Sequence, residues 1–366
     1  METDLVPETA IIDDAVARAV AAVPREHYTD HPHLGGVPQA TAQFAIERDL
    51  RRAGVRPGMR VLEIGTGTGY TGALLTELVG DDGHVVSVDI DPALVKRAAK
   101  LHAERGVANL TLLVGDGHLG APDHAPFDAI LGWATPTHIP HAWIRQARPG
   151  AIISTPIYLA PVARTVGHIR ARVTGDGRLT EPQLGGAVYV DMGPKVNTSL
   201  GIPMFYLDAR HDSPDGRIAW VSVAWRGHHP GHDPVTTLRM LMNPAHAEPV
   251  ALGDSDEEQA IAWRDFRAYC AGRDNTHTPS SLTAYGTAGD VWISGIGFSS
   301  GKHAAVLTAD GRFLANRSDS PALAKLRDHF RDWQLAGRPG IDALQPRLIP
   351  ISDGWQVRVT LAHATR

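Results

Sequence analysis

The sequence holds a single cysteine, Cys270, among 366 residues. One thiol excludes an intrachain disulfide and any zinc site built on cysteine pairs, and on its own it reads as a small buried hydrophobe. Long apolar runs are missing too. Nowhere do about 18 apolar residues follow one another, so no membrane partner is expected. The opening stretch METDLVPETAIIDDAVARAV is acidic and lacks the basic start and apolar core of a secretory leader. The expected setting is therefore cytoplasmic. Charge of one sign is equally scarce. With 35 Lys and Arg against 40 Asp and Glu the formal net charge is −5, and no block of like charge stands out. A nucleic-acid partner needs a concentrated basic face, so none is expected.

What is present suits a two-domain globular chain. Hydrophobic residues make up 43% of the sequence, enough for a core in each half, and the length exceeds one average domain. Residues 11–23 have helical apolar spacing and stop at Pro24. A His, Pro and Gly-rich loop follows, from Tyr28 to Pro38. A second helix is expected over Thr41–Ala53, with Phe44, Ile46 and Leu50 on its buried side. Then short apolar runs alternate with helical ones. Strands are expected at Arg60–Ile64, Val85–Val88, Leu110–Val114 and Asp128–Leu131, with helices after Thr71 and Asp91-Pro92. That rhythm is a doubly wound α/β sheet. Beyond Gly150 the pattern turns to β, with strands expected at Ala151–Thr155, Thr165–Val173 and Ala187–Val190. Gly193-Pro194 marks the candidate boundary, giving units 1–198 and 199–366. The second reads as mixed α+β. Its strands are expected near Ile218–Trp225, Val291–Ile293, Ala304–Thr308 and Trp355–Leu361, and its helices near Asp256–Tyr269 and Pro321–Trp333.

Chemistry concentrates around GTGTGY, residues 65–70, between a strand and a helix. Its glycines permit a tight turn and close approach to a ligand. The spacing departs from the dinucleotide pattern G-x-G-x-x-G, because Tyr70 follows Gly69. Acids mark three successive strands: Glu63 two residues before Gly65, Asp89 ending the second, and Asp116 after the third. An acid at the second strand end can accept from both ribose hydroxyls, and one at the third can reach an adenine amino group. A pyrophosphate would instead favour bare helix amides without carboxylates nearby. The combination favours S-adenosylmethionine over NAD. The candidate cofactor residues are Glu63, Gly65, Thr66, Gly67, Gly69 and Tyr70, then Asp89 and Ile90, then Asp116, Gly117 and His118.

The same segments resemble the protein-L-isoaspartate O-methyltransferase family. The matching residues are Val23-Pro24-Arg25-Glu26, Gln39-Ala40-Thr41, VLEIGTGTGY, VVSVDID, VGDG and PFDAI, followed by RPGAIISTP and GGAVYV. They cover about residues 10–195. The resemblance implies a class I S-adenosylmethionine methyltransferase fold, seven strands with the last reversed, and methyl transfer to an aspartyl or isoaspartyl carboxylate of a peptide or protein. It puts a hydroxyl residue beside the acceptor, and Thr41 matches that position. Thr41 is equally suited to capping the following helix. Two departures stand out. The loop from Tyr28 to Gln39 is shorter than in the repair enzymes, and the chain runs far beyond Val190, where those enzymes end. The ending, from Trp333 through AGRPG to Asp353-Gly354-Trp355, looks like extended relatives. Those act on ribosomally made peptides (lanthipeptides, lasso peptides, graspetides), methylating one aspartate that then closes to an aspartimide. The expected function is that tailoring, with isoaspartyl repair as the alternative.

Arg226-Gly227-His228-His229-Pro230-Gly231-His232-Asp233 offers metal-type ligands, but its Pro and Gly content reads as a loop and no metal is assigned. Trp220, Trp225 and Trp292 fit either a peptide face or core. A scaffold that has lost catalysis and a small-molecule carboxyl methyltransferase complete the alternatives.

Overall fold

The computed structural model describes residues 8–36, 40–187, 189–196, 201–224, 232–273, 280–289 and 292–361. Helices α1 (Glu8–Ala22), α2 (Arg25–Thr29) and α3 (Gln43–Ala53) precede the first sheet. The alternating part then runs β1 (Arg60–Ile64), α4 (Tyr70–Val79), β2 (His84–Asp89), α5 (Pro92–Glu104), β3 (Leu110–Val114), β4 (Phe127–Gly132) and α6 (His141–Gln146). It ends in β5 (Ala147–Tyr158), β6 (Val166–Val173) and β7 (Leu179–Gly185). The spatial order is 7-6-5-4-1-2-3. Strands β1 to β5 pair in parallel, whereas β6 is antiparallel to both of its neighbours. The reversed strand is thus the sixth in chain order, next to the edge, and not the last. Central β1 is apolar on both faces because helices cover both, with Val61, Leu62 and Ile64 all buried.

Local chemistry sets these elements. Asp91 caps α5 by accepting from the Ala93 amide at 2.8 Å, with Pro92 at the tolerated first position. Helix α3 starts at Gln43 with Ala42 as its cap, so Thr41 does not serve as the N-cap. Its buried face is Ala45, Ile46, Asp49, Leu50 and Ala53. Phe44 was expected there and is instead 72% exposed. At about 100° per residue, position 44 lies nearly opposite 46. The strand expected at Ala187–Val190 does not form: Ala187, Tyr189 and Val190 lie outside any strand, and Val188 lies outside the described residues. There the pairing reduces to one bridge, Thr135 with Asp191. Edge strand β7 was missed, since LTEPQLG carries a proline and a register shift between Thr180 and Gln183 that break the alternation.

The second half forms an antiparallel sheet. It contains β8 (Ala209–Asp212), β9 (Ile218–Val223), β10 (His246–Pro249), β11 (Ser281–Ala288), β12 (Ile293–Ser300), β13 (His303–Thr308) and β14 (Arg312–Ala315). Their order is 8-9-11-12-13-14-10. Helices α7 (Pro234–Met242), α8 (Asp256–Arg273) and α9 (Pro321–Leu335) accompany it. Strand β11 was invisible in the sequence because SLTAYGTA is small and polar. Those small residues make room: a Cβ on Gly286 would lie 2.4 Å from the Trp220 ring. Trp220 is accordingly core, Trp292 is exposed, and Trp225 lies outside the described residues. A final hairpin, β15 (Leu344–Ile351) and β16 (Gly354–Leu361), turns back to the first half. There Gly354 and Trp355 pair with Pro140 and Ile139, and His141 N–H donates to Asp353 O at 2.9 Å. One continuous apolar cluster joins Ile153 and Leu159 of the first half to Phe266, Trp333 and Val357 of the second.

Gly354 is a point of close approach between the backbones of the two halves. A Cβ there would sit 2.1 Å from the Ile139 carbonyl oxygen, a backbone atom with nowhere to go. Gly354→Ala is expected to destabilise the fold by about 1–3 kcal/mol, read as a lower thermal midpoint. An unchanged midpoint would show that the hairpin does not hold the halves together.

Candidate active site

The glycine loop is built for close approach. Gly65, Gly67 and Gly69 all have positive φ, at 98°, 52° and 88°, where a side chain would be strained. Gly67 also has open space where a Cβ would stand, and that space is the cavity. The cavity holds about 170 Å³. Among the expected residues, Thr41, Gly65, Thr66, Gly67, Asp89, Ile90 and Gly117 line it.

Asp89 ends β2 beside the loop. Its Oδ2 accepts from Gly67 N–H at 2.9 Å and its Oδ1 from Asp91 N–H at 3.0 Å. A carboxylate offers about four lone-pair positions, so acceptor capacity remains for a ligand. Burial raises its pKa, and the two amides oppose that shift. Thr41 is held from behind. The Arg25 guanidinium donates to Thr41 O at 2.7 Å and to Gln43 Oε1 at 3.1 Å, and it lies over the Tyr70 ring.

Five expected residues do not line the cavity. Glu63 is fully buried behind it. It accepts from Thr71 Oγ1 at 2.5 Å, Ser87 Oγ at 2.6 Å and Trp133 Nε1 at 2.9 Å. Thr71 and Trp133 are themselves wall residues, so Glu63 shapes the site at one remove. Tyr70 is buried under Arg25, and Gly69 faces Ala98, His102 and Tyr28, where a Cβ would crowd at 3.1–3.3 Å. Asp116 and His118 stay outside the lining and bond each other, Oδ1 to Nδ1 at 3.1 Å. Chain order gives the strand ends correctly, but side-chain direction depends on packing.

Sequence reasoning missed another wall, Val190, Asp191, Met192, Gly193, Lys195 and Val196. Asp191 fixes it: Oδ1 accepts from Tyr158 OH at 2.6 Å and Oδ2 from Met204 N–H at 2.8 Å. The available signal was the tail of GGAVYV, an acid followed by Met-Gly-Pro. Of the histidine-rich loop, residues 226–231 lie outside the described residues. His232 meets Ser299 Oγ at 3.2 Å, and Asp233 caps α7.

This cradle fits S-adenosylmethionine: open glycines, a strand-end carboxylate with spare acceptor positions, and mixed apolar walls. Residues 3–196 match the family described as protein-L-isoaspartate(D-aspartate) O-methyltransferase. The chain belongs to that family. It is a carboxyl O-methyltransferase of the S-adenosylmethionine-dependent type. Protein-L-isoaspartate O-methyltransferase of Ignicoccus hospitalis is 36% identical over 169 residues, 43% of this chain and 80% of that one. The protein of the same name from Gloeobacter violaceus is 38% identical over 154 residues, 39% and 74% of the two chains. A solved protein-L-isoaspartate O-methyltransferase aligns over 97% of both chains at 16% identity, with a TM-score of 0.47. No helix among the described residues is long and apolar enough to cross a membrane.

Two outcomes test the site. Asp89→Ala is expected to abolish S-adenosylmethionine binding in calorimetry, and undiminished binding would remove Asp89 from the ligand. The second concerns Glu63, whose pKa burial pushes up to about 7, against three donors that favour the anion. With the folded value above the unfolded one, its stabilising contribution is complete below the unfolded pKa and is lost as pH rises through about 7. Denaturant titrations should show stability falling over that window, and Glu63→Gln should flatten the fall. An equally steep profile in the variant would assign the pH dependence to another group.

Proposed function

We propose that this methyltransferase esterifies one aspartyl side chain of a constrained, ribosomally made peptide, and that the ester then closes to an aspartimide. Residues 1–198 act as the catalytic unit and residues 199–366 grip the peptide. The observation that carries this reading is the wall at 190–196. The stretch that leads into the second half forms one wall of the cavity, and Asp191 ties it to Met204 at 2.8 Å; on this reading it closes the acceptor side. An appended half joined directly to the cavity wall suits one dedicated acceptor better than many damaged proteins.

The chemistry asks little of the protein. The acceptor carboxylate is ionised near neutral pH and needs no general base, only alignment. S-adenosylmethionine bound in the cavity would supply an electrophilic sulfonium methyl to the carboxylate oxygen, the carbon–sulfur electron pair remaining on sulfur. Asp89 would hold its ribose hydroxyls. The Thr41 hydroxyl donates to the carboxylate oxygen that does not react. Lys195, exposed at the rim and without an ion pair among the described residues, attracts the acceptor's charge. The product ester makes its carbonyl a target for the next backbone nitrogen, and methanol leaves as the ring closes.

Repair of isoaspartyl residues is the second reading, favoured by the names of the relatives. Mass spectrometry separates the two. Full-length protein and S-adenosylmethionine are given a linear isoaspartyl peptide and, separately, the cyclised peptide encoded beside the gene. A gain of one methylene followed by a net loss of one water, on the cyclised peptide alone, is expected. Methylation of the linear isoaspartyl peptide in its place would return the enzyme to repair. Thr41→Ala should lower turnover roughly five- to tenfold, the worth of one hydrogen bond of about 1–1.5 kcal/mol, with cofactor affinity unchanged. Unaltered turnover would remove Thr41 from the acceptor site.

A further inference from the structure

Away from the glycine loop, three ligand-type side chains converge where α2 meets α5. His27 lies in α2, His31 follows it in a two-residue ribbon with Gly35–Gly36, and Glu104 ends α5. His31 Nε2 is 3.3 Å from Glu104 Oε2, and His27 Nε2 is 3.8 Å from the same oxygen. All three ligand atoms lie within 4.8 Å of one another. A tetrahedral ion with bonds of about 2.0–2.1 Å sets its ligand atoms about 3.3 Å apart. The three atoms therefore already stand near the corners of such a site.

We propose that His27, His31 and Glu104 bind one divalent transition ion of the zinc class, which fastens the α2 segment onto α5. Two imidazoles and one carboxylate are the donor set such ions prefer over calcium or magnesium. The depth is graded for entry: His31 is 7% exposed, His27 half-buried, and the Glu104 side chain open to solvent on its far side. The fourth ligand is left to solvent or to His33, whose ring centre is 5.8 Å from that of His31. Binding exchanges existing contacts. His27 gives up its 3.0 Å bond to Leu101 O, and His31 moves its proton to Nδ1, releasing the long 3.3 Å contact from His33 N–H. Lys100, 4.0 Å from Glu104 Oε1, stays on the other carboxylate oxygen.

The position gives the ion a structural consequence. Arg25 and Thr29 of α2 line the cavity, and so do Asp91 and Leu94 at the start of α5. Apart from His27 and His31, the segment is held to α5 by Arg97, which donates to Tyr28 O at 2.8 Å and Gly35 O at 2.9 Å, and by the buried Tyr28 hydroxyl, 3.2 Å from His102 Nδ1. A metal staple would fix two walls of the cavity against each other, and binding only to the folded chain raises its stability.

The test uses the full chain after chelator treatment, titrated with Co²⁺ by visible absorption and with Zn²⁺ by calorimetry. One equivalent should bind, with the intense visible bands of tetrahedral cobalt, and Zn²⁺ should raise the thermal midpoint by several degrees. His27→Gln should weaken binding at least tenfold. Glu104→Gln, at an open position that leaves the fold intact by circular dichroism, should do the same and abolish the thermal shift. Absence of saturable binding at micromolar metal would overturn the site. So would binding that persists undiminished when His27→Gln and Glu104→Gln are combined, which would put the ion elsewhere.

Discussion

A carboxylate with no access to solvent organises the first half of the chain. Glu63 sits one residue from the end of β1, where both faces of the sheet are covered, and three donors converge on it from α4, from β2 and from the segment after β4. Thr66 adds a fourth link, meeting Ser87 at 2.7 Å. Burying this group without those donors would cost several kcal/mol. With them, it fixes the angle at which the glycine loop leaves β1 and the position of the Trp133 ring in the wall. The open space over Gly67 and the reach of Asp89 follow from that geometry.

A second polar knot works at the opposite wall. Asp49 on α3 accepts from Tyr189 OH at 2.5 Å and from the Arg48 guanidinium at 2.8 Å, with His168 of β6 close by. Tyr189 belongs to the stretch leading to Asp191, and α3 begins two residues after Thr41. Thr41 and the last cavity wall are thereby both tied, through neighbouring residues, to one buried carboxylate. Burial drives His168 down to about 4, so its imidazole stays neutral beside Asp49.

Legibility followed the physics of each element. Strands β1, β2 and β4 carry near-continuous apolar runs because they are buried on both faces, and such runs announce themselves; β3, at the sheet edge, is only partly buried, with Val114 57% exposed, but keeps a legible run of Leu and Val. The Asp91-Pro92 start of α5 is equally local, since one side chain and one ring define it. Strands β7, β11 and β12 were hidden or truncated. They use Gly, Ser, Thr and Pro, whose fitness for a strand depends on a neighbour: Gly286 on the Trp220 ring, Gly297 on the Ala305 carbonyl 2.1 Å from where a Cβ would stand. Phe44 failed for a different reason. A helix pattern leaves the buried side ambiguous when apolar residues occur on more than one face.

The sequence by itself determined the cofactor class, the order of the strands around the glycine loop and the acids at their ends, because these depend on residues close together in the chain. It also placed Asp89 and Thr41 at the cavity. Tertiary structure alone decided that Glu63 turns inward while Asp89 lines the cavity, that the stretch at 190–196 forms another of its walls, and that the last hairpin returns to Ile139. It likewise brought His27 and His31 to Glu104, more than seventy residues away. These depend on which side of a strand or helix meets a distant segment, and direction of that kind is fixed only when the whole core packs.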